Sequence, residues 1–438
     1  MSNSTSTVRV GIIGLGTVGG GTVRLIQKHH DRYLKAFGVD LKIQRACARN
    51  PRHVEELGLD PQSFTTDWHE VTQDENVDIV VELIGGTSPA REIILDAFAH
   101  GKHVVSANKA LLAQSMDELA GAAHDNGCAL MCEAACAGGI PIVNALEHAL
   151  AANGMSAVAG IMNGTTNYIL TRMDEEGLSF EEVLADAQEL GYAEAEPSAD
   201  VDGYDAAAKL AILASIAFQT RVTLDDVRCE GIRTISAQDM ELARQMGMRI
   251  KLLGVAQRVG DDVAAHVWPA LVPEDHQLAM VDGAMNAVVA VGDGVGETLF
   301  YGAGAGAFPT GSAVMGDILA LARPLAHGIP VAAEPEPFAR ELDVVPAAEA
   351  VCARLLSFVP ASDDDLAAVA AHLPELSLDA CTEGGTEEGP ATIVTEPLTD
   401  AEASELAAFV GVHAQDRPRM LRVEDPSRWG AERPRSLN

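Results

Sequence analysis

The amino-terminal third of the chain alternates short apolar runs with longer amphipathic segments. Val8–Ile13 is an apolar run typical of a buried strand, and a helical pattern follows it to about His30. Similar apolar runs fall at about Leu41–Ala48, Asp78–Ile84 and His103–Ser106. Buried strands that alternate with helices predict an α/β fold with a parallel sheet, because parallel strands need helical crossovers.

A glycine-rich turn separates the first predicted strand from the first predicted helix. Gly14, Gly16 and Gly19 have the spacing GxGxxG, with Thr17 and Val18 between the last two. Gly14 would permit the turn, Gly16 the approach of a pyrophosphate, and Gly19 the packing of helix on strand. A bare glycine turn is the alternative, but the flanking strand and helix favour a Rossmann-type dinucleotide-binding domain.

Residues that follow the next strands extend the candidate cofactor site. Arg49 comes after the second strand, where a carboxylate would bind the ribose of NAD and an arginine suits the 2′-phosphate of NADP. Arg49 therefore favours NADP, with NAD as the alternative cofactor, although solvated arginines are also common at strand ends. Thr87 ends a glycine-rich turn, and Lys109 follows the strand His103–Ser106. The carboxyl ends of parallel strands are where open α/β sheets bind their ligands.

The stretch Leu190–Leu213 combines acidic residues with a buried helix. Its first half, a loop that contains a proline, carries the four carboxylates Glu194, Glu196, Asp200 and Asp202. Asp205 and Lys209 then lie one turn apart at the start of an almost wholly apolar helix, so both project from one face. A lysine that enters buried surroundings beside a carboxylate can donate and accept a proton. An ordinary i, i+4 ion pair is the alternative, and the spacing alone does not separate the two.

Changes of pattern along the chain predict three domains. A small-residue loop, Glu133–Pro141, has carbonyl groups that could face a ligand or an ion, and an α+β pattern then extends to about Tyr301. Gly302–Gly306 and the helix after it predict a crossing back to the cofactor site. Beyond a linker at Gly328–Glu341, a β-α-β-β-α-β order, with a strand at Leu376–Cys381, predicts a small separate domain. The predicted boundaries are 1–135 for the dinucleotide-binding domain, completed by 302–327, then 136–301 for a substrate-binding, catalytic and dimerisation domain, and 345–425 for the last domain.

Composition narrows the classes of function. The 64 acidic and 30 basic residues give a net charge of −34, which argues against direct binding to nucleic acid, because phosphate contacts need a basic face. The seven cysteines form no regular framework, so we expect reduced thiols and a cytoplasmic location. We expect no membrane partner, because Lys209 interrupts the longest apolar run and the first residues lack the apolar core of a signal peptide.

Four motifs, in order along Val8–His327, resemble homoserine dehydrogenase. They are the glycine turn GLGTVG, Ala107–Leu111 (ANKAL), Asn163–Tyr168 (NGTTNY) and Asp200–Asp205 (DVDGYD) followed by Lys209. The resemblance implies reversible, NAD(P)-dependent oxidation of L-homoserine to L-aspartate 4-semialdehyde, a step in threonine, methionine and isoleucine biosynthesis. One rival is another NADP-dependent semialdehyde oxidoreductase, which would need a thiolate. The other is a non-catalytic, cofactor-sensing regulatory protein, which would not need the Asp–Lys pair.

The resemblance also implies roles for particular residues. Lys209 would carry the proton of the substrate oxygen, and Lys109 would lie by the nicotinamide as a second candidate for proton transfer. The substrate-binding candidates are Glu194, Asp200 and Asp205, and Gly306 joins the cofactor-binding residues. A loop with Glu133, Cys136, Gly138 and Ile140 would bind a monovalent cation such as sodium, largely through backbone carbonyls.

The last predicted domain resembles a degenerate ACT domain, which the family uses to sense amino acids. An amino-acid effector is therefore a candidate partner beside the substrate, although the first strand–helix turn, Val359–Ser362, lacks the Asp-x-Pro-Gly form of that domain. The resemblance further implies a homodimer, or a higher homo-oligomer, built through the middle domain.

Overall fold

The computed structural model describes residues 7–333, 338, 342–346, 349–372 and 390–429. The strand predicted at Leu376–Cys381 lies outside these residues. Within the described part of the chain, no helix is long and apolar enough to cross a membrane.

Strands and helices alternate along most of the chain. The strands are β1 (Thr7–Ile13), β2 (Asp40–Cys47), β3 (Phe64–Thr65), β4 (Ile79–Glu82), β5 (His103–Ser106), β6 (Leu130–Met131), β7 (Met155–Ile161), β8 (Arg228–Cys229), β9 (Met248–Val259), β10 (Asp262–Pro273), β11 (Met285–Gly292), β12 (Gly296–Ala303), β13 (Ala353–Phe358), β14 (Ala391–Val394) and β15 (Arg419–Val423). The helices are α1 (Thr17–Phe37), α2 (Arg52–Glu56), α3 (His69–Thr72), α4 (Ser88–Ala99), α5 (Lys109–Asp125), α6 (Ile142–Asn144), α7 (Gly164–Glu176), α8 (Phe180–Glu189), α9 (Ser198–Val201), α10 (Tyr204–Phe218), α11 (Ala237–Gln245), α12 (Ala307–Ala326), α13 (Asp363–His372) and α14 (Asp400–Val412).

The chain forms two compact units. The first comprises Met1–Val158, Ala208–Leu224 and Met285–Leu342, and the second comprises Ala159–Ala207, Asp225–Ala284 and Asp343–Asn438. Strand β7 and helix α10 each continue from one unit into the other.

The first unit is organised around a six-stranded sheet. The strand order is β3-β2-β1-β4-β5-β6, and each neighbouring pair is parallel. The predicted parallel α/β sheet is therefore confirmed. The order reverses between β1 and β4, and in open sheets of this kind the crevice at such a reversal binds the ligand.

A single hydrophobic cluster joins this sheet to a helix far along the chain. Ile12 of β1 and Val23 of α1 are fully buried, and they share the cluster with Val314, Ile318 and Leu321 of α12. Helix α12 therefore packs against α1 and completes the core of a sheet whose last strand ends at Met131. The same unit contains the antiparallel pair β11–β12.

The second unit contains a long strand, β10, that the hydrophobic pattern did not predict. It pairs with β9 in antiparallel register from Asp262 to Pro273, although Pro269 lies in its middle and prolines are rare inside strands. Two short strands also pair with β10, in parallel: β8 at His266 and Val267, and β15 at Ala270 and Leu271. Pro269 occupies the gap between these two partners, so the ladder loses little where the proline has no N–H to donate.

Strands from the last part of the chain extend the sheet of the second unit. β15 pairs antiparallel with β13, and β13 pairs antiparallel with β14. Helices α13 and α14 cover these strands with a cluster that includes Leu356, Ile393, Leu406 and Val410. The described residues thus contain five of the six predicted β-α-β-β-α-β elements, and the remaining one falls outside them.

Candidate active site

The glycine turn after β1 has the geometry of a phosphate-binding turn. Gly14 has φ +105°, and a Cβ atom on it would lie 2.6 Å from the carbonyl oxygen of Leu83. A Cβ atom on Gly19 would lie 2.0 Å from the carbonyl oxygen of Gly14, so α1 could not approach the turn with any larger residue. A Cβ atom on Gly16 would meet nothing within 4 Å. The turn is therefore packed on its protein side and open at Gly16.

Helix α1 begins at this open side without a side-chain cap. Gly16 is the N-cap residue and has no hydroxyl or carboxylate to accept the first N–H groups of the helix. Thr17 and Val18 form the start of its first turn, and Thr17 is exposed. Because a helix start with free N–H groups is an anion site, the turn fits a dinucleotide pyrophosphate.

The other predicted cofactor residues follow the carboxyl ends of neighbouring strands. Arg49 is exposed and comes two residues after Cys47, whose carbonyl oxygen accepts a hydrogen bond from Gly14 N at 2.9 Å. Thr87 is exposed and is the residue before α4. Gly306 has φ +131° and is the residue before α12. Arg49 and Thr87 thus lie at the edge of the sheet that carries the glycine turn.

Lys109 is the first residue of α5 and follows β5, which ends at Ser106, after a short turn. The side chain of Asn108 caps this helix, because its Oδ1 accepts a hydrogen bond from Leu111 N at 3.2 Å. Lys109 is exposed, and its predicted position at the carboxyl end of a parallel strand is confirmed.

Three polar side chains of the second unit form a bonded cluster. Asn163 Nδ2 donates to Asp200 Oδ1 at 2.6 Å and to Asp205 Oδ2 at 2.9 Å. Asn163 is also the N-cap of α7, where its Oδ1 accepts from Thr166 N at 2.8 Å. The amide is thus fixed by the helix start and holds two carboxylates. Sequence reasoning missed both roles of Asn163, although an asparagine before a helical segment is a signal that could have indicated the cap.

Helix α10 carries both members of the predicted Asp–Lys pair. Asp205 is 7% exposed and Lys209 is 8% exposed, so the predicted burial of this face is confirmed. The helix continues into Leu210 and Leu213, which are fully buried. Asp205 precedes Lys209 by one helical turn.

The other acidic residues of the loop before α10 have separate contacts. Asp202 Oδ1 accepts from Arg233 Nε at 2.5 Å, and Glu196 accepts from the hydroxyl of Ser198. That hydroxyl holds the pKa of Glu196 below its usual value. Glu194 is exposed, and its carbonyl oxygen accepts from Gln188 Nε2 at 2.9 Å. Of the four carboxylates, only Asp200 is linked to Asp205 through Asn163.

Glu133 begins the predicted small-residue loop just after β6. β6 ends at Met131, and Glu133 begins a short 3₁₀ turn. Its buried carboxylate accepts from Val143 N at 3.0 Å and from Asn144 N at 2.7 Å, so the turn is bonded to α6. Burial raises the pKa of Glu133.

The predicted cation loop curls through two left-handed residues, Ala137 (φ +50°) and Gly138 (φ +58°). Cys136 and Ile140 are buried, and Cys136 Sγ lies 3.7 Å from the carbonyl oxygen of Lys209. The loop therefore contacts α10 at Lys209. Among the described residues no group of three or more His, Cys, Asp or Glu side chains could hold a metal ion. A carboxylate with backbone carbonyls does suit a hard cation such as sodium.

Two family models match the chain. Residues 14–133 match "Homoserine dehydrogenase, NAD binding domain", and residues 141–319 match "Homoserine dehydrogenase". The homoserine dehydrogenase of Synechocystis sp. is 50% identical over 319 residues, which are 72% of this chain and 73% of that protein. This chain belongs to the homoserine dehydrogenase family.

Solved structures of homoserine dehydrogenases share the fold. The crystal structure of the Thiobacillus denitrificans homoserine dehydrogenase matches with a TM-score of 0.88 and 38% identity, over 96% of this chain and 99% of that one. A hyperthermophilic archaeal homoserine dehydrogenase in complex with NADPH matches with a TM-score of 0.62 and 26% identity, over 72% of this chain and 98% of that one.

As a homoserine dehydrogenase, the protein is an oxidoreductase of amino-acid biosynthesis that interconverts L-homoserine and L-aspartate 4-semialdehyde with NAD(P). The rival semialdehyde oxidoreductase is not favoured, because both family models and the matching relatives are homoserine dehydrogenases. Its chemistry would also need a thiolate, whereas burial raises the pKa of Cys47 and of Cys229 to about 11, and that of Cys352 to about 12. The non-catalytic rival is not favoured either, since homoserine dehydrogenases match most of the chain.

Proposed function

We propose that Lys209 is the general acid–base of this homoserine dehydrogenase and that Asp205, Asp200 and Glu194 bind the substrate. The observation that carries the proposal is the burial of Lys209 one turn after Asp205, a carboxylate that the Asn163 amide holds in place. Homoserine carries an ammonium group, which these carboxylates would attract. Asn163 joins the set as a positioning residue, because it donates to both Asp200 and Asp205.

The reaction needs a base at the hydroxyl oxygen of the substrate. When homoserine is oxidised, Lys209 Nζ in its neutral form takes the hydroxyl proton as the carbonyl forms. A nicotinamide cofactor held at the glycine turn would accept the hydride that leaves carbon four. In the reverse direction the ammonium group of Lys209 returns the proton to the same oxygen. Burial keeps water away from this exchange, and α10 fixes the backbone from which the side chain extends.

We propose a cofactor-binding role for Lys109 and for the exposed edge of the parallel sheet. The supporting observation is that Lys109, Thr87 and Arg49 follow the carboxyl ends of β5, β4 and β2. The positive charge of Arg49 supports a preference for NADP(H) over NAD(H). Gly306 and the first turn of α1 would complete this set.

The remaining proposals concern partners of the enzyme. A monovalent cation such as sodium is supported by the loop of Glu133, Cys136, Gly138 and Ile140, which offers one carboxylate and backbone carbonyls. An amino-acid effector and an ACT-like role are supported by the order of elements from β13 to β15. A homodimer or higher homo-oligomer, the predicted domain boundaries and the expected cytoplasmic location stay predictions.

The proposed roles are tested by removing each lysine in turn. Lys209→Ala should lower turnover of homoserine by roughly two to four orders of magnitude, the usual contribution of a positioned acid–base group. Its affinity for NADPH should stay within about twofold, because the glycine turn is formed by other residues. Lys251→Met is the matched control. Lys251 is also buried but donates to the carbonyl oxygen of Val281 at 2.6 Å, so its loss should lower stability more than turnover.

The opposite pattern would reverse the assignment of the two candidate lysines. If Lys209→Ala retained near-normal turnover while Lys109→Ala lost it, the proton would have to travel through Lys109.

A further inference from the structure

A carboxylate with no role in the mechanism above is buried at the end of β4. Glu82 is the last residue of this strand and has no exposed surface. The three residues before it, Ile79, Val80 and Val81, are equally buried and apolar. An acid in this position is costly unless its oxygens are bonded, and an apolar residue would fill the same space at lower cost. Its partners therefore indicate its use.

The carboxylate of Glu82 bridges the ends of two parallel strands. Oε1 accepts from Ile84 N at 2.8 Å, within the turn that follows β4. Oε2 accepts from the hydroxyl of Ser106 at 2.7 Å, and Ser106 is both the last residue of β5 and the register partner of Glu82. The hydroxyl of Ser106 in turn accepts from Asn108 N at 3.1 Å.

Asn108 closes the connection between the two turns. Its Nδ2 donates to the carbonyl oxygens of Ile84 at 3.2 Å and of Gly86 at 2.7 Å. Its Oδ1 caps α5, the helix that starts with Lys109. The turn before Thr87 and the turn before Lys109 are thus linked by a set of bonds that includes both Glu82 oxygens.

The direction of these bonds follows from the two backbone N–H groups, which only donate, and from the ionised carboxylate, which only accepts. Ile84 N and Asn108 N can only donate, so Ser106 must accept from Asn108 and give its single hydroxyl proton to Glu82. A glutamine in place of Glu82 could still accept from Ile84 N. Its NH₂ group would then face Ser106, and the hydroxyl proton of Ser106 would lose its acceptor. Burial raises the pKa of Glu82 to about 7, and the donors Ser106, Ile84 and Asn108 oppose that rise.

We propose that Glu82 is a positioning residue that joins the Ile84–Thr87 turn and the Ala107–Lys109 turn into one rigid edge for the cofactor. This inference rests on the proposed cofactor-binding roles of Thr87 and Lys109. It adds that a buried acid, which touches neither substrate nor cofactor, sets the affinity of that edge.

The control for this proposal lies at the opposite end of the same strand. Asp78 immediately precedes β4, and its Oδ2 accepts from Arg9 N at 2.7 Å. Glu82→Gln and Asp78→Asn therefore each replace one carboxylate that accepts from a backbone N–H, at the two ends of β4. Only the first change falls at the carboxyl end, where the cofactor is expected.

The test measures NADPH binding by nicotinamide fluorescence, and amide hydrogen exchange, in the full-length chain at about pH 8, where Glu82 is ionised. Glu82→Gln should raise the dissociation constant of NADPH about tenfold or more, the usual effect of losing a hydrogen bond to a charged group. Exchange should be faster in peptides that cover residues 84–87 and 107–112. Asp78→Asn should leave both readouts within about twofold of the parent chain.

Two outcomes would overturn the inference: unchanged NADPH affinity in Glu82→Gln, or an equal loss in Asp78→Asn. If Glu82→Gln does not fold, Ser106→Ala removes the hydroxyl bridge alone and should move both readouts in the same direction by a smaller factor. Failure of Ser106→Ala to move either readout would also overturn it. NADPH affinity of Lys109→Ala, measured beside these variants, separates a failure of this inference from a failure of the proposed function. An unchanged affinity in Lys109→Ala is a failure of the proposed function, and a loss there without an effect of Glu82→Gln is a failure of this inference.

Discussion

Replacing Glu82 with glutamine should change how the stability of the enzyme depends on pH. The usual pKa of a glutamic acid is 4.5, and burial raises that of Glu82 to about 7 in the folded chain. The folded state therefore holds the proton more tightly than the unfolded state does. The stability contributed by this proton is fully present below pH 4.5 and is lost as the pH rises through about 7. Glutamine cannot take part in this exchange.

The size of this contribution to stability follows from the difference between the folded and unfolded pKa values of Glu82. One pH unit corresponds to about 1.4 kcal/mol, so the whole effect is about 3 kcal/mol. The sequence pI is about 4.6, and measurements near it risk precipitation because the net charge vanishes. Between about pH 5.5 and about pH 8.5, the linkage relation leaves about 2 kcal/mol to be observed.

The assay is urea unfolding of the parent chain and of Glu82→Gln at several pH values in this window. The difference in unfolding free energy should shift by about 2 kcal/mol in favour of the parent chain as the pH falls from about 8.5 to about 5.5. Other titrating groups are common to both chains and cancel, and the altered hydrogen bonds of glutamine add an offset that does not vary with pH. Parallel curves of unfolding free energy against pH for the two chains would refute the reasoning, since they would mean that Glu82 titrates alike in the folded and unfolded chains.

Two further predictions concern the binding sites. Arg49→Asp should raise the Michaelis constant for NADPH roughly tenfold to a hundredfold and affect that for NADH much less, because only NADPH carries the 2′-phosphate. Equal effects on both constants in initial-rate measurements would show that Arg49 does not contact that phosphate. Asn163→Ala should raise the Michaelis constant for homoserine and lower the unfolding free energy by about 1 kcal/mol, because the Asp200–Asp205 cluster loses its shared donor and α7 loses its cap. Homoserine kinetics identical to those of the parent chain would remove Asn163 from the substrate site.

Local sequence signals predicted the parts of this fold that local chemistry determines. The glycine turn at Gly14–Gly19 was identifiable because steric limits at each position act within a few residues. The buried face of α10 was identifiable from the apolar residues that surround Lys209. In both cases the residues that define the feature are neighbours in the chain.

Features that depend on distant partners could not be predicted in this way. Strand β10 looks broken at Pro269, and its integrity depends on where β8 and β15 pair with it. β15 lies roughly 150 residues after β10 in the sequence. Glu82 ends an apolar run, but its burial depends on β5. No local pattern predicts that Ser106 is its hydrogen-bond partner. The bonds of Asn163 to Asp200 and Asp205 span 37 and 42 residues of sequence.

The position of α12 has a consequence for the order in which the protein can fold during synthesis. This helix packs against α1, yet its first residue, Ala307, is made about 290 residues after Thr17. At roughly 5–20 residues per second, the ribosome needs about 15–60 s to cover that distance. Throughout that time the nascent parallel sheet and α1 lack the apolar side chains of Val314, Ile318 and Leu321. A chain released before α12 would therefore leave a surface that the finished enzyme never exposes, a recognisable target for chaperones and proteases.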